Sequence, residues 1–140
     1  MSSHSGFAGQ HLKVWQALAV CAAAGFRGPK LTTAVAVAWA ESGLWTGAWH
    51  TNYPGEQTES TDRGLWQIND RFHPNCTDEE AYNPYKASKY AFQLSLGGED
   101  FTPWMAYGGS RYLACRAVVA ATRLTTRRWR RHVDTIRAEL

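Results

Sequence analysis

Apolar and polar positions alternate along this chain in two styles. An Ala-rich stretch over residues 9–25 carries apolar residues at helical spacing and stops at Gly25. Gly28-Pro29 predicts a turn, and Leu31–Glu41 a second, more apolar helix with proline near its start. Residues 42–82 change character: Gly, Thr, Asn, Asp and Pro interrupt short alternating pieces such as "GLWQIND". That predicts turns with a small antiparallel sheet. Asn83-Pro84 opens another helix to about Leu96, where Gly97-Gly98 breaks it. An aromatic segment, "FTPWMAYGG", leads into a helix from about Arg111 to Leu124, and a basic helix follows from about Thr126 to Glu139.

The expected architecture is α+β and mainly α, with a small antiparallel β insertion among helices. One domain over residues 1–140 suits the length. Its parts are a helix at 30–42, an insertion at 43–82, a helical lobe at 83–124 and a basic C-terminal helix at 125–140.

One helix ends oddly. In "AVAWAESGLWTG" an apolar run closes on Glu41 just before Ser42-Gly43. A carboxylate there is costly unless it is protonated or paired. A second acid, Asp62, lies in "STDRGLWQIND" just before Arg63-Gly64. Read as a strand, that segment puts Gln67 and Asn69 on one face and Trp66 and Ile68 on the other. An amide-bearing face suits hydroxyl and N-acetyl groups, and a solvated hairpin fits the same pattern. Breaking a glycosidic bond needs one carboxyl kept protonated and one charge facing the developing oxocarbenium ion. Glu41 has an apolar setting and Asp62 a polar one, which is the asymmetry that chemistry requires.

Composition changes the picture in three places. Seven Trp, six Tyr and five Phe are many for this length; they can fill a core, and several exposed ones would suit a sugar or apolar ligand. Residues 111–140 carry eight arginines against two acids, net +6, while residues 1–110 carry seven bases against ten acids, net −3. In the tail, Arg127, Arg128, Arg130 and Arg131 surround Trp129, while Val133, Ile136 and Leu140 form a helical stripe with Trp129 one turn earlier. The arginines form either a solvated face or a footprint for an anionic wall or membrane surface, and no nucleic acid is expected as a partner. Cys21, Cys76 and Cys115 match no metal spacing or disulfide framework. Cys21 is expected as a buried thiol, and a Cys76–Cys115 bridge stays open. His73 and Cys76 lack a second ligand pair, and "TDEE" at 77–80 reads as a solvated acidic loop. No metal or cofactor is expected. No apolar run spans a membrane. "VWQALAVCAAAGF" reads as the first helix rather than a signal peptide, so release would use a holin, a secretion apparatus or a virion.

Four segments in order, "AVAWAESG", "STDRGLWQIND", "NPYKASKYAFQLS" and "WMAYGG", resemble the lysozyme superfamily. The first resembles the Glu-Ser that ends the catalytic helix of soluble lytic transglycosylases and of goose-type and c-type lysozymes. The second is similar to the transglycosylase Gly-Leu-Met-Gln segment, and more so to the c-type Ser-Thr-Asp-Tyr-Gly-Ile-X-Gln-Ile-Asn run. The last two are similar to transglycosylase segments. Gly108 stands where those enzymes have Asn, and the c-type cysteine pattern is absent.

The resemblance covers residues 9–124 and implies a lysozyme-like fold acting at the bacterial cell wall, as in actinobacterial or phage lysins. It implies Glu41 and Asp62 as catalytic residues. It implies Gln67, Asn69, Trp66 and Tyr107 as substrate-binding, with Tyr107 at the cleft near Glu41. The implied activity is a muramidase on peptidoglycan, acting as a monomer. The alternatives are a lytic transglycosylase, which needs only one Glu, and a non-catalytic wall-binding or virion module.

Overall fold

A computed structural model describes residues 9–138. Helix α1 spans Val14–Ala24 and α2 spans Gly28–Ser42. Three short strands follow: β1 at Trp49–Asn52, β2 at Ser60–Arg63 and β3 at Ile68–Asn69. Then come α3 at Asp78–Tyr82, α4 at Pro84–Leu94 and α5 at Ser110–Thr125. A 3-10 turn at Arg128–His132 leads into α6 at Val133–Ala138. The strands form one antiparallel sheet in the order β1-β2-β3. This is the α+β layout expected: helices with a small sheet between α2 and the later helices.

Helix α2 is the central element. Ala34, Val35, Ala36, Val37 and Ala38 are all at zero exposure. It packs against α5 and α1, and α1 packs in turn on α4 and α6. Its small side chains let both neighbours approach closely. Pro29 sits in its first turn. Gly43 ends it in the left-handed region at φ 67°, its N–H bonded to Trp39 O at 2.8 Å. The apolar run thus stays in the core, while Glu41, on the last turn, is carried to the surface of a cleft and is half-buried.

The sheet is fastened by Arg63, buried at 2% exposure. Its Nε donates to Ile68 O at 3.0 Å, and its Nη1 donates to Cys76 O at 2.9 Å and to Asp78 Oδ1 at 3.0 Å. Gly64 follows at φ 76°, with its backbone pressed so close to α3 that a Cβ would lie 1.9 Å from Ala81 O.

Several expectations need correcting. The "TDEE" segment is not a loop. Thr77 and Glu80 form a reciprocal capping box that starts α3, and Asp78 pairs with Arg63. "GLWQIND" is mostly turn: residues 64–67 bend the chain and only Ile68–Asn69 pair as strand. The tail is not one helix but a 3-10 turn and a short helix. Trp129 is buried, and Val133 and Ile136 pack on the core as the stripe predicts, while Leu140 lies outside the described residues. All three cysteines are free, buried thiols, so Cys76 and Cys115 are unbridged. Burial pushes the Cys21 thiol up to about 12.

Candidate active site

Antiparallel register builds the polar half of the site. His50 pairs with Asp62 across β1 and β2, and Asp62 pairs with Asn69 across β2 and β3. Asn52 lies two residues beyond His50, on the same face. Two amides therefore close on one carboxylate. Asn52 Nδ2 donates to Asp62 Oδ2 at 3.1 Å and Asn69 Nδ2 donates to Asp62 Oδ1 at 2.8 Å. Both amides also donate to Ser60 Oγ, at 3.3 and 2.9 Å. Each oxygen of Asp62 is held by its own donor.

Glu41 meets a different setting. Its Oε2 accepts a 3.1 Å hydrogen bond from the backbone N–H of Ala106, in the loop before α5. Burial pushes its carboxyl above the ordinary glutamate range. The Ala106 N–H opposes that rise, and the negative charge of Asp62 adds to it. Burial wins because one backbone donor replaces only part of the lost water.

Two basins meet at this pair, sharing Glu41, Asp62 and Gln67. The first, about 530 Å³, is walled by Trp45, Trp49, His50 and Arg111. The second, about 520 Å³, is walled by Asn52, Tyr53, Phe72, Trp104 and Met105. Trp45, Trp49, Tyr53 and Phe72 are exposed, at 39%, 51%, 62% and 75%. Such faces can stack on sugar rings. The cleft thus offers a continuous trough with two dissimilar carboxyls at its middle.

The residues expected to bind substrate divide sharply. Gln67 lines both basins. Its φ of 51° turns it back so that Nε2 donates to Ala48 O at 3.2 Å and Gly64 O at 2.9 Å. Its Oε1 has no hydrogen-bond partner among the described residues. Asn69 borders the second basin, but its amide is fully engaged. Besides holding Asp62 and Ser60, its Oδ1 accepts from the N–H groups of Arg71 and Phe72. Its place is behind the carboxylate.

Trp66 is a correction. It is at zero exposure, with Nε1 bonded to Ser88 Oγ at 3.0 Å, and it stacks on Phe26. The turn at Gly64 tucks it into the core, away from any ligand. Tyr107 is 42% exposed but borders neither basin; its ring packs on Phe101 and Tyr112. The group of that segment that reaches Glu41 is the Ala106 main chain. Asn52 was missed, since only strand register brings it beside Asp62.

His73 borders the second basin and its Nδ1 lies 3.0 Å from Tyr90 OH. Among the described residues no group of three or more His, Cys, Asp or Glu is placed to hold a metal ion, and no helix is long and apolar enough to cross a membrane.

A family model described as a lysozyme like domain matches residues 19–106. The match takes in Glu41, the whole sheet and Ala106, and stops before α5. No curated protein and no solved structure matches the chain.

Proposed function

Because this chain belongs to the lysozyme-like domain family, whose members are peptidoglycan-acting lytic enzymes, we propose that it is a muramidase. It hydrolyses the β-1,4 bond between N-acetylmuramic acid and N-acetylglucosamine. The observation that carries this reading is the pair of carboxyls in unlike settings within one cleft. Glu41 is held toward its protonated form by burial, and Asp62 is gripped by two amide donors.

The chemistry follows from those settings. Glu41 gives its proton to the glycosidic oxygen as the bond from that oxygen to the anomeric carbon breaks. Positive charge grows on the sugar, and Asp62 faces it with a carboxylate that cannot rotate away. A water then supplies hydroxyl to the anomeric carbon and returns a proton to the Glu41 carboxylate. Gln67 Oε1 accepts from an acetamido N–H or a hydroxyl of the bound saccharide. The exposed faces of Trp45, Trp49, Tyr53 and Phe72 stack on sugar rings to either side. The residues perform the reaction without a cofactor.

The site of action is the bacterial cell wall, which is anionic. The exposed Arg127, Arg128, Arg130 and Arg131 are suited to hold the enzyme on it. The protein works as a monomer, each cleft being complete within one chain.

The experiment is digestion of purified peptidoglycan followed by analysis of the released ends. Hydrolysis yields reducing muramic ends, and Asp62→Asn lowers turnover at least about a hundredfold. Products with 1,6-anhydromuramic ends and an active Asp62→Asn enzyme would instead make the protein a lytic transglycosylase. Saccharide binding with no product at all would leave a wall-binding or virion module.

A further inference from the structure

Arg111 is the arginine of the first basin, and the fold gives no reason for it. It stands in the first turn of α5, where a positive charge opposes the helix dipole. That turn contains no acid. The side chain is exposed, and among the described residues it enters no ion pair or hydrogen bond. Its guanidinium overlooks the end of α2: a Cβ on Gly43 would lie 3.8 Å from its Nη2. The other charged groups bordering this basin are Glu41 and Asp62, with the titratable His50. Neither carboxylate is within ion-pair distance of Arg111.

A guanidinium has five donors in a planar fork and no acceptor. Left unpaired at the rim of a substrate trough, it matches a carboxylate arriving with the substrate, which it can grip through two parallel hydrogen bonds. Trp45 and Trp49 in the same basin supply flat faces for the sugar that carries the acid. Resting on the glycosidase reading above, we propose that Arg111 binds a carboxylate borne by the glycan strand and so makes the enzyme prefer acidic over neutral saccharides. In peptidoglycan such a group comes from the lactyl arm of muramic acid or from the acidic groups of its stem peptide. Arg111 lies in α5, outside the segment matched by the family model.

The test measures binding by calorimetry in the Glu41→Gln background, which stops turnover. Three alternating tetrasaccharides serve as probes. One has free lactyl carboxylates, one has the same groups as carboxamides, and one carries stem peptides with free carboxyls. At low salt the free-acid or the peptide form should bind about threefold to tenfold tighter than the carboxamide, as expected for one partly exposed Arg–carboxylate pair. Which of the two gains identifies the source of the carboxylate. Adding Arg111→Gln should bring all three to equal affinity, and Arg111→Lys should keep part of the preference. Equal binding of all three probes without the Arg111 change, or a preference that survives Arg111→Gln, overturns the proposal. Failure of the glycosidase reading looks different: wild-type protein then releases no product from peptidoglycan, whatever it binds, whereas absence of binding by all three probes overturns the Arg111 proposal itself.

Discussion

Glu41 Oε2 accepts its hydrogen bond from the backbone N–H of Ala106, 65 residues further along the chain. That contact ties the end of α2 to the loop before α5 and fixes one oxygen of the carboxyl. It favours the charged form, yet burial outweighs it. The direction of that balance determines what a neutral replacement does.

Glu41→Gln keeps the acceptor for Ala106 and removes the titration. A carboxyl whose protonation is favoured by folding adds stability in full below the ordinary glutamate range, about pH 4. That contribution is lost as pH rises through the raised value. Glu41→Gln should therefore be more stable than wild type at pH 7, with the gap closing below about pH 4. Wall lysis should fall by about two to four orders of magnitude at every pH. Urea unfolding at several pH values, beside a turbidity assay on cell walls, checks both. A variant less stable than wild type at pH 7 would show that the carboxylate is structurally required.

The grip on Asp62 predicts a second pair of variants. Asn52→Ala and Asn69→Ala each remove one charge-assisted hydrogen bond, worth about 1.5–3 kcal/mol. If that bond holds the carboxylate against the reacting sugar, each should lower kcat about tenfold to a hundredfold. In an Asp62→Asn background the same changes should cost far less, because the group they orient is gone. Asn69→Ala should also lower stability more than Asn52→Ala, since Asn69 caps the turn at Arg71 and Phe72 as well. Additive effects on kcat would show that the amides act independently of Asp62.

These residues differ in how visible they are in the sequence. Glu41 is legible locally: an apolar helical run that stops at Ser-Gly must bring its last polar residue out of the core. Asp62 shows as a strand-end acid, but its partner Asn52 sits in a polar loop-like stretch with no local mark. Only the pairing of β1 with β2 brings the two together. Trp66 misleads for a related reason. Alternation suggests a strand, while the left-handed turn at Gly64 is a tertiary demand, set by the approach of Ala81 O. Helix α3 is missed in the sequence, although Thr77 and Glu80 stand at capping-box spacing. Three successive acids hid it, and the buried Arg63 that pairs with Asp78 lies far away in sequence.

The close approach at Gly64 is testable by itself. Gly64→Ala puts a Cβ 1.9 Å from Ala81 O on a backbone with φ 76°. Neither the carbonyl nor the backbone can yield without moving α3 off the sheet. The expected loss is at least about 3 kcal/mol, from overpacking plus a disfavoured conformation. A urea midpoint near wild type would mean that the turn relaxes without cost. Gly55→Ala is a useful control. It too has a positive φ, of 81°, but its Cβ would meet nothing within 4 Å, so it should cost about 1 kcal/mol.

The basic tail predicts a division of labour among its arginines. The Arg128 guanidinium sits 4.3 Å from the centre of the Trp15 ring, and Arg130 lies 5.2 Å from that of Trp129, which is itself buried. Arg128 thus holds the tail against α1, while Arg130 packs on its neighbour within the tail. Among the described residues the side chains of Arg127 and Arg131 have no ion-pair, hydrogen-bond or ring partner, so their charges are available to a surface. Arg128→Gln should lower stability by about 0.5–1 kcal/mol, the worth of an exposed cation–π contact. Arg127→Gln with Arg131→Gln should leave stability unchanged and weaken sedimentation with whole cell walls. That weakening should fade as salt rises, because exposed charges are screened beyond about 8 Å at physiological ionic strength. If the double variant binds walls as wild type does at low salt, the cluster is a solvated face and the cleft alone holds the enzyme to its substrate.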